Sequence, residues 1–277
     1  MNITFIGGGN MASALISGLT QQGGSPAGAG IRVVEISPEG RERLQRQFHI
    51  ATFAQPDTEA LACDILVLAV KPQQLREVAV QLQGKLAGKL VVSIAAGVRA
   101  PDLARWLGGH EQVVRAMPNT PAMILSGITG LYALPGVSAE QKQQAEGVLS
   151  AVGTVVWLEA ETQMDAVTAI SGSGPAYAFY FMEALEAAAR DFGLTSGTAR
   201  HLAVETFLGA ARLAANSDEE LAVLRARVTS KGGTTERALQ SMETDAVKAN
   251  IIRAVKAAAE RSRELGDELG SKAGKAG

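Results

Sequence analysis

Cysteine is nearly missing from this 277-residue chain: Cys63 stands alone. A single thiol can neither form an internal disulfide nor anchor a thiol-rich metal site, which fits a reducing, cytoplasmic setting. Histidine is almost as scarce. His49, His110 and His201 are scattered, and the carboxylates mostly fall on polar helix faces, so no metal site is expected and a structural role is favoured for all three histidines. Aromatic residues make up only 4% and do not alternate with basic ones, which removes the stacking surface that single-stranded nucleic acid needs. The formal net charge of −2 gives no global attraction to nucleic acid or to an anionic membrane. No apolar run is long enough to span a bilayer, and the N-terminus lacks the basic leader of a signal peptide. Against these absences, hydrophobic residues are 47% and charged residues 19%, the composition of a folded chain whose length predicts two domains.

The first half alternates short apolar runs with amphipathic segments. Strands are expected over 2–6, 31–36, 64–70, 89–94, 112–116 and 153–158, with helices over 10–22 and about 38–47 and a loose turn over 23–30. Strands alternating with helices predict a parallel sheet covered on both faces. From about Leu158 the chain turns rich in alanine and leucine, and helices are expected near 161–170, 174–192, 197–215, 234–244 and 246–265. The 174–192 and 197–215 helices lack a clean polar face and need burial all round, which a helical domain of this size cannot supply alone; a partner subunit would. The reading is an α/β chain: a dinucleotide-binding domain over 1–158, a helical domain over 159–265, and a small, charged, disordered tail over 266–277.

Gly7-Gly8-Gly9-Asn10-Met11-Ala12 matches G-x-G-x-x-A, directly after an expected strand and at the start of an expected helix. Glycines permit the tight turn and let the backbone approach a pyrophosphate, while the helix N-terminus offers unpaired N–H groups to the anion. Glu35, at the end of the second strand, stands near the position that grips the ribose 2′-hydroxyl of NAD. Ser37, with Arg41 and Arg32 nearby, could instead hold the 2′-phosphate of NADP, and the residues leave the two coenzymes open. Ala69-Val70-Lys71-Pro72 and Ala95-Ala96-Gly97 end the next two strands, and Met117-Pro118-Asn119-Thr120-Pro121 follows a third; all fall at the sheet rim where a coenzyme binds. Cys63 reads as core or strand edge rather than as a nucleophile.

Two glycine–hydroxyl segments stand out in the second half. Ser171-Gly172-Ser173-Gly174-Pro175 and Val228-Thr229-Ser230-Lys231-Gly232-Gly233-Thr234-Thr235 each precede an expected helix. Amides and hydroxyls at a helix N-terminus suit a carboxylate, and helix capping with close packing is the plain alternative.

With these segments in hand, the chain closely resembles the pyrroline-5-carboxylate reductase family over nearly its whole length. The likeness rests on Phe5 to Met11, Leu68 to Pro72, Ser93 to Val98, Arg115 to Pro121, Asp165 to Tyr177, and Val228 to Ser230 with Gly232 to Thr235. It implies a Rossmann-type domain followed by an all-α dimerisation domain, and an active site shared by two subunits of a homodimer or higher homo-oligomer. It implies reduction of the cyclic imine of L-1-pyrroline-5-carboxylate to L-proline, with NADPH preferred and NADH as the alternative. It places Thr235 at the imine nitrogen as the catalytic group. Ser230, Gly232 and Gly233 fall at the substrate carboxylate, Val228 and Thr234 in the same substrate loop, and Glu161 near the substrate. Three positions depart from the family pattern: Lys231 where proline is common, Arg227 where an amide is common, and Pro56 where asparagine often lies near the adenosine.

The chemistry asks for orientation of two rings and a hydrogen-bonding group at nitrogen more than for a strong base. Two rival classes remain. A hydroxyacid dehydrogenase on a similar plan usually needs a basic residue in its helical half, and 174–192 has no lysine. A non-catalytic coenzyme-sensing protein would have no use for the Gly-Gly-Thr-Thr loop.

Overall fold

The computed structural model describes residues 1–22 and 30–271. The expected turn over 23–30 therefore lies outside the described residues, Gly30 excepted. Contacts divide the chain into two compact units, Met1–Ser173 joined by the chain from Ala258 onward, and Gly174–Ala257.

The first unit is built on one eight-stranded sheet of order β3-β2-β1-β4-β5-β6-β7-β8. Its strands are β1 (Ile3–Ile6), β2 (Ile31–Val34), β3 (Ala51–Phe53), β4 (Ile65–Leu68), β5 (Leu90–Ser93), β6 (Val113–Met117), β7 (Gly127–Ala133) and β8 (Gly153–Trp157). β1, β4 and β5 are buried along their whole length, as continuous apolar runs between two helical layers should be. β1 pairs in parallel with β2 through Ile3–Ile31 and with β4 through Ile3–Ile65, so the strand order reverses between β1 and β4. The expected all-parallel sheet needs one correction. β7 runs antiparallel to β6, through Met117–Gly130, and β8 then pairs in parallel with β7. The cause is local: a tight 3-10 turn over Thr120–Ile124 replaces a crossover helix, and a connection that short returns the chain antiparallel.

Helices α1 (Asn10–Gln22), α2 (Pro38–Phe48) and α5 (Ala139–Ser150) cover one face, where Leu15, Ile16, Leu44, Val148 and Leu149 join the strand side chains in one core. Helices α3 (Pro72–Gln81) and α4 (Ala100–Trp106) cover the other with Leu75, Ala79, Leu103 and Trp106. Cys63 is buried in this second core, and burial pushes its thiol pKa up, so it stays protonated.

Helix α6 (Gln163–Val167) and a π-helical turn over Thr168–Gly172 complete the ascending part of this unit. The last helix, α11 (Val247–Ser271), returns to it. Residues 266–271, expected as a disordered tail, are thus helical, and 272–277 lie outside the described residues. Composition misled because Gly266 and Gly270 are glycines of contact: a Cβ on Gly266 would stand 3.0 Å from the Arg99 guanidinium, and one on Gly270 2.5 Å from an Asp102 carboxylate oxygen.

The second unit holds α7 (Gly174–Asp191), α8 (Ser196–Ala215), α9 (Leu221–Arg227), α10 (Thr234–Thr244) and the start of α11. The apolar helices expected to need outside cover are uncovered in the single chain: Phe179, Tyr180, Leu202 and Leu213 are all at least half exposed. Among the described residues no helix is long and apolar enough to cross a membrane.

Candidate active site

The strand order reverses between β1 and β4, and the crevice beyond the carboxyl ends of such strands is where ligands of open α/β sheets bind. Gly7 follows β1 there with φ 99°, a conformation that side chains rarely adopt, and a Cβ on it would meet the Ala69 carbonyl at 2.8 Å. Gly9 differs. It has no positive φ, and nothing stands within 4 Å of where its Cβ would be. No protein atom asks for glycine at this position; the open space beside the start of α1 does. Ser13 N–H donates to the Gly9 carbonyl at 2.9 Å as the first bond of α1, which leaves the amides just before it for an anion. The residues fit a pyrophosphate.

Glu35 follows β2 directly. One carboxylate oxygen accepts the Gly8 N–H and the other the Ser37 N–H, both at 2.9 Å, so Glu35 ties the glycine loop to the β2–α2 turn. Ser37 is the N-cap of α2: its Oγ accepts the Gly40 N–H at 3.1 Å and donates to Glu39 at 2.7 Å. That hydroxyl holds the Glu39 carboxyl below its usual range. Arg41 donates to the carbonyls of Glu35 at 2.7 Å and Ile36 at 2.9 Å. Arg32 is elsewhere, on the Ala62 carbonyl before the start of β4, and cannot serve the expected 2′-phosphate. Instead Arg43 approaches the loop, donating to the Gly8 carbonyl at 2.7 Å and to Ser13 Oγ at 3.2 Å.

The other rim segments lie where strand ends were expected. Ala69–Lys71 follows β4, with Lys71 as the N-cap of α3, exposed and with no cap bond from its side chain. Ala95, Ala96 and Gly97 follow β5; Ala96 is exposed and Gly97 is buried at φ 76°. Asn119 turns inward: its Oδ1 accepts the Ile128 N–H at 3.0 Å and its Nδ2 donates to the Ser171 carbonyl at 3.2 Å, pinning the 3-10 turn.

Glu161 is fixed by charge. Its Oε1 accepts from Arg115 Nη1 at 2.6 Å and from the Ala100 N–H at 3.2 Å, the first residue of α4. Arg115 is 3% exposed, and Glu161 Oε2 is buried without a donor. Ser171-Gly172-Ser173-Gly174-Pro175 does not form the expected anion site at a helix start. The chain is already helical before it, Ser173 N–H donates to the Thr168 carbonyl at 2.9 Å, and Ser171 Oγ donates to the Val167 carbonyl.

The Val228–Thr235 loop links α9 to α10. Gly232 takes φ 73°, its N–H donates to Glu236 Oε2 at 2.7 Å, and the Gly233 N–H donates to the Ser230 carbonyl at 3.0 Å. Gly233 is the N-cap of α10 and has no side-chain cap bond. Thr235 is therefore the second helical residue and not a cap, contrary to the alternative reading of this threonine. Among the described residues the hydroxyls of Ser230, Thr234 and Thr235 have no protein partner, and the first bond of α10 is Arg237 N–H to the Gly233 carbonyl at 3.2 Å. The amides of Thr234 and Thr235 thus remain open at a helix N-terminus. Arg227, at a departure from the family pattern, is held by Glu219 at 2.6 Å. Lys231 is exposed.

A family model described as pyrroline-5-carboxylate reductase dimerisation matches residues 161–265, and one described as NADP oxidoreductase, coenzyme F420-dependent, matches residues 2–97. A pyrroline-5-carboxylate reductase of Pseudomonas aeruginosa is 47% identical over 270 residues, covering 97% of this chain and 98% of the relative. The chain belongs to the pyrroline-5-carboxylate reductase family. It is a nicotinamide-dependent oxidoreductase with a Rossmann-type domain. Among solved structures, the pyrroline-5-carboxylate reductase of Coxiella burnetii superposes with TM-score 0.90 at 43% identity, over 95% of this chain and 98% of that one. The pyrroline carboxylate reductase of Plasmodium falciparum, solved with NADP bound, gives TM-score 0.84 at 28% identity over 96% and 98%.

In this family member the glycine loop, Glu35, Ser37, Ala69–Pro72 and Ala95–Gly97 gather at one rim, while Ser230 to Thr235 form a separate loop in the second unit. Sequence reasoning missed two groups. Arg43 carried no signal, because only its return to Gly8 in space marks it. Arg115 stands in the Arg115–Pro121 motif, where an arginine inside an apolar strand asks for a buried carboxylate, a signal that names no partner.

Proposed function

We propose that this chain reduces the cyclic imine of L-1-pyrroline-5-carboxylate to L-proline, the last step of proline biosynthesis, with NADPH preferred over NADH. The observation that carries the reading is the start of α10, where the free Thr235 hydroxyl stands beside two open helix amides. A ring bearing an imine nitrogen and a carboxylate matches that pair of groups.

A bound reduced nicotinamide supplies the hydride. The chain's own residues bind, orient and handle the proton. Thr235 Oγ1 hydrogen-bonds the ring nitrogen and steadies its protonated form, in which the imine carbon accepts hydride most readily; hydride at carbon and proton at nitrogen turn C=N into CH–NH. The amides of Thr234 and Thr235, with Ser230 Oγ, hold the carboxylate. Gly232 and Gly233 contribute close approach more than donors, since Glu236 and the Ser230 carbonyl already take their amides. Val228 borders the same loop. Glu161 holds the start of α4 behind the rim through Oε1 and stands near the substrate.

At the coenzyme end, Gly7, Gly8 and Gly9 with Asn10 and Met11 cradle the pyrophosphate. Ala69, Val70, Lys71, Pro72, Ala95, Ala96 and Gly97 border the nicotinamide. Ser37, Arg41 and Arg43 favour a 2′-phosphate, and the Glu35 carboxylate opposes it. The functional division is a dinucleotide-binding domain at 1–158 and a substrate and dimerisation domain at 159–265. The exposed faces of α7 and α8 support a homodimer or higher homo-oligomer, and the lone cysteine fits a cytoplasmic setting.

The test is isotopic. NADPH carrying deuterium at both positions of its reactive ring carbon should give proline with deuterium at the former imine carbon. Unlabelled proline, or none, would refute the proposal.

A further inference from the structure

We propose that the end of α11 is a positioning element for the coenzyme, with Leu265 and Leu269 buttressing the Ala95–Gly97 turn of the rim. The inference rests on the reading that this turn borders the nicotinamide. Gly97 is buried in a left-handed conformation, and a Cβ on it would lie 3.3 Å from Leu269 Cδ1 and 3.5 Å from Leu265 Cβ. The inner side of the turn therefore rests on α11, while Ala96 at its tip is exposed. Two residues on, Arg99 pairs with Asp267 at 2.8 Å and donates to the Arg263 carbonyl at 3.1 Å. Arg105 of α4 reaches the Gly270 carbonyl at 3.3 Å, and Ser262 Oγ donates to Asp165 of α6 at 2.7 Å.

These contacts fall on one stripe of the helix. Ser262, Gly266 and Gly270 are spaced i, i+4, i+8, so their small side chains let the backbone of α11 lie flush on Arg99 and Asp102. Leu269 packs against the second core. The ion pairs are partly exposed and contribute little to holding the turn. Packing against Gly97 is the contact that fixes it. At the start of α4, Glu161 holds the Ala100 N–H. The turn is thus gripped at both ends of its short connection to α4. A turn that must present a flat face to a ring has little tolerance, because a displacement of about 1 Å in such a site can reduce rates by up to about a hundredfold.

The experiment compares Leu269→Ala, Leu269→Met and Ala96→Val in the full-length protein. Leu269→Ala should raise KM for NADPH by roughly five- to twentyfold, a loss of about 1–2 kcal/mol of coenzyme binding, with KM for pyrroline-5-carboxylate within about twofold, since the substrate loop lies in the other unit. Leu269→Met keeps the volume and should restore the parental KM. Ala96→Val crowds the exposed tip directly and should raise KM for NADPH whether or not α11 matters. A folded Leu269→Ala with lowered Tm but parental KM for NADPH, while Ala96→Val raises it, would show a merely structural helix and overturn the proposal. Parental KM in both variants would overturn the rim reading and the proposal with it. Should Leu269→Ala fail to fold, Leu269→Val, which removes the Cδ1 atom nearest Gly97 and leaves a smaller cavity, carries the same comparison.

Discussion

Replacing Gly9 with alanine should leave the fold intact and abolish useful coenzyme binding. Two opposed effects act on stability. Alanine narrows the unfolded ensemble and gains about 0.4–1 kcal/mol where the native backbone suits it. It is also a poorer residue than glycine where a helix begins, a loss of similar size. With nothing within 4 Å of the new Cβ, no clash is added, so the unliganded protein should unfold within about 1 kcal/mol of the parent. Binding is different. The methyl group would occupy the space beside the open amides of α1, where the pyrophosphate belongs. Each charge-assisted hydrogen bond there is worth about 1.5–3 kcal/mol, so losing two weakens NADPH by at least about a hundredfold. Gly7→Ala is the control with the opposite signature. Its φ of 99° and the 2.8 Å approach to the Ala69 carbonyl should lower stability itself, by about 1–3 kcal/mol from backbone strain alone. Thermal unfolding without ligand, followed by NADPH titration, separates the two. Gly9→Ala binding NADPH with parental affinity would refute the assignment of that space to the coenzyme.

Thr235→Ala should lower kcat by roughly ten- to a thousandfold with little change in NADPH affinity, because one hydrogen-bonding group at the reacting nitrogen is lost; parental turnover would show the hydroxyl to be idle. Glu35→Gln removes the charge that opposes a 2′-phosphate while keeping one amide acceptor, so the ratio of NADPH to NADH specificity should rise, as steady-state kinetics with both coenzymes would show. His110 supplies a pH test. Burial lowers its pKa below the ordinary 6.5, and its Nε2–H donates to the Lys89 carbonyl at 2.9 Å. Its neutral form is favoured in the folded state, so its contribution is full above pH 6.5 and is lost as the pH falls below that, where the unfolded chain takes up the proton first. Unfolding at a series of pH values should show a decline below that point that His110→Gln flattens.

How far the residues reveal the molecule depends on whether their partners are local. β1, the glycine turn and α1 could be read at once, since an apolar run, three glycines and a helix start are consecutive, and α1 spans the expected 10–22. β7 escaped because Gly127-Ile-Thr-Gly-Leu-Tyr-Ala mixes glycine with apolar residues and shows no clear period. α9 is only seven residues long and packs no buried side chain, too short for periodicity to mark. The end of α11 was misread for the same reason in reverse: glycine and charge suggest a solvated tail unless Arg99 and Asp102, far away in sequence, are known to lie against it. At the site, the glycines, Glu35, Ser37 and the threonine loop were nameable from the chain alone. Arg43 at Gly8, and Glu161 on Arg115 and Ala100, exist only as long-range pairs. The hydrogen bonds that occupy the amides of Gly232 and Gly233 were equally out of reach.

The most direct test of the central claim follows oxidation of NADPH by the purified protein, with pyrroline-5-carboxylate as the only acceptor and a panel of hydroxyacids with NADP as the control. NADPH should be consumed one for one with proline formed, and the hydroxyacids should yield no reduced coenzyme. Tight NADPH binding with no proline formed, or turnover of a hydroxyacid instead, would contradict it.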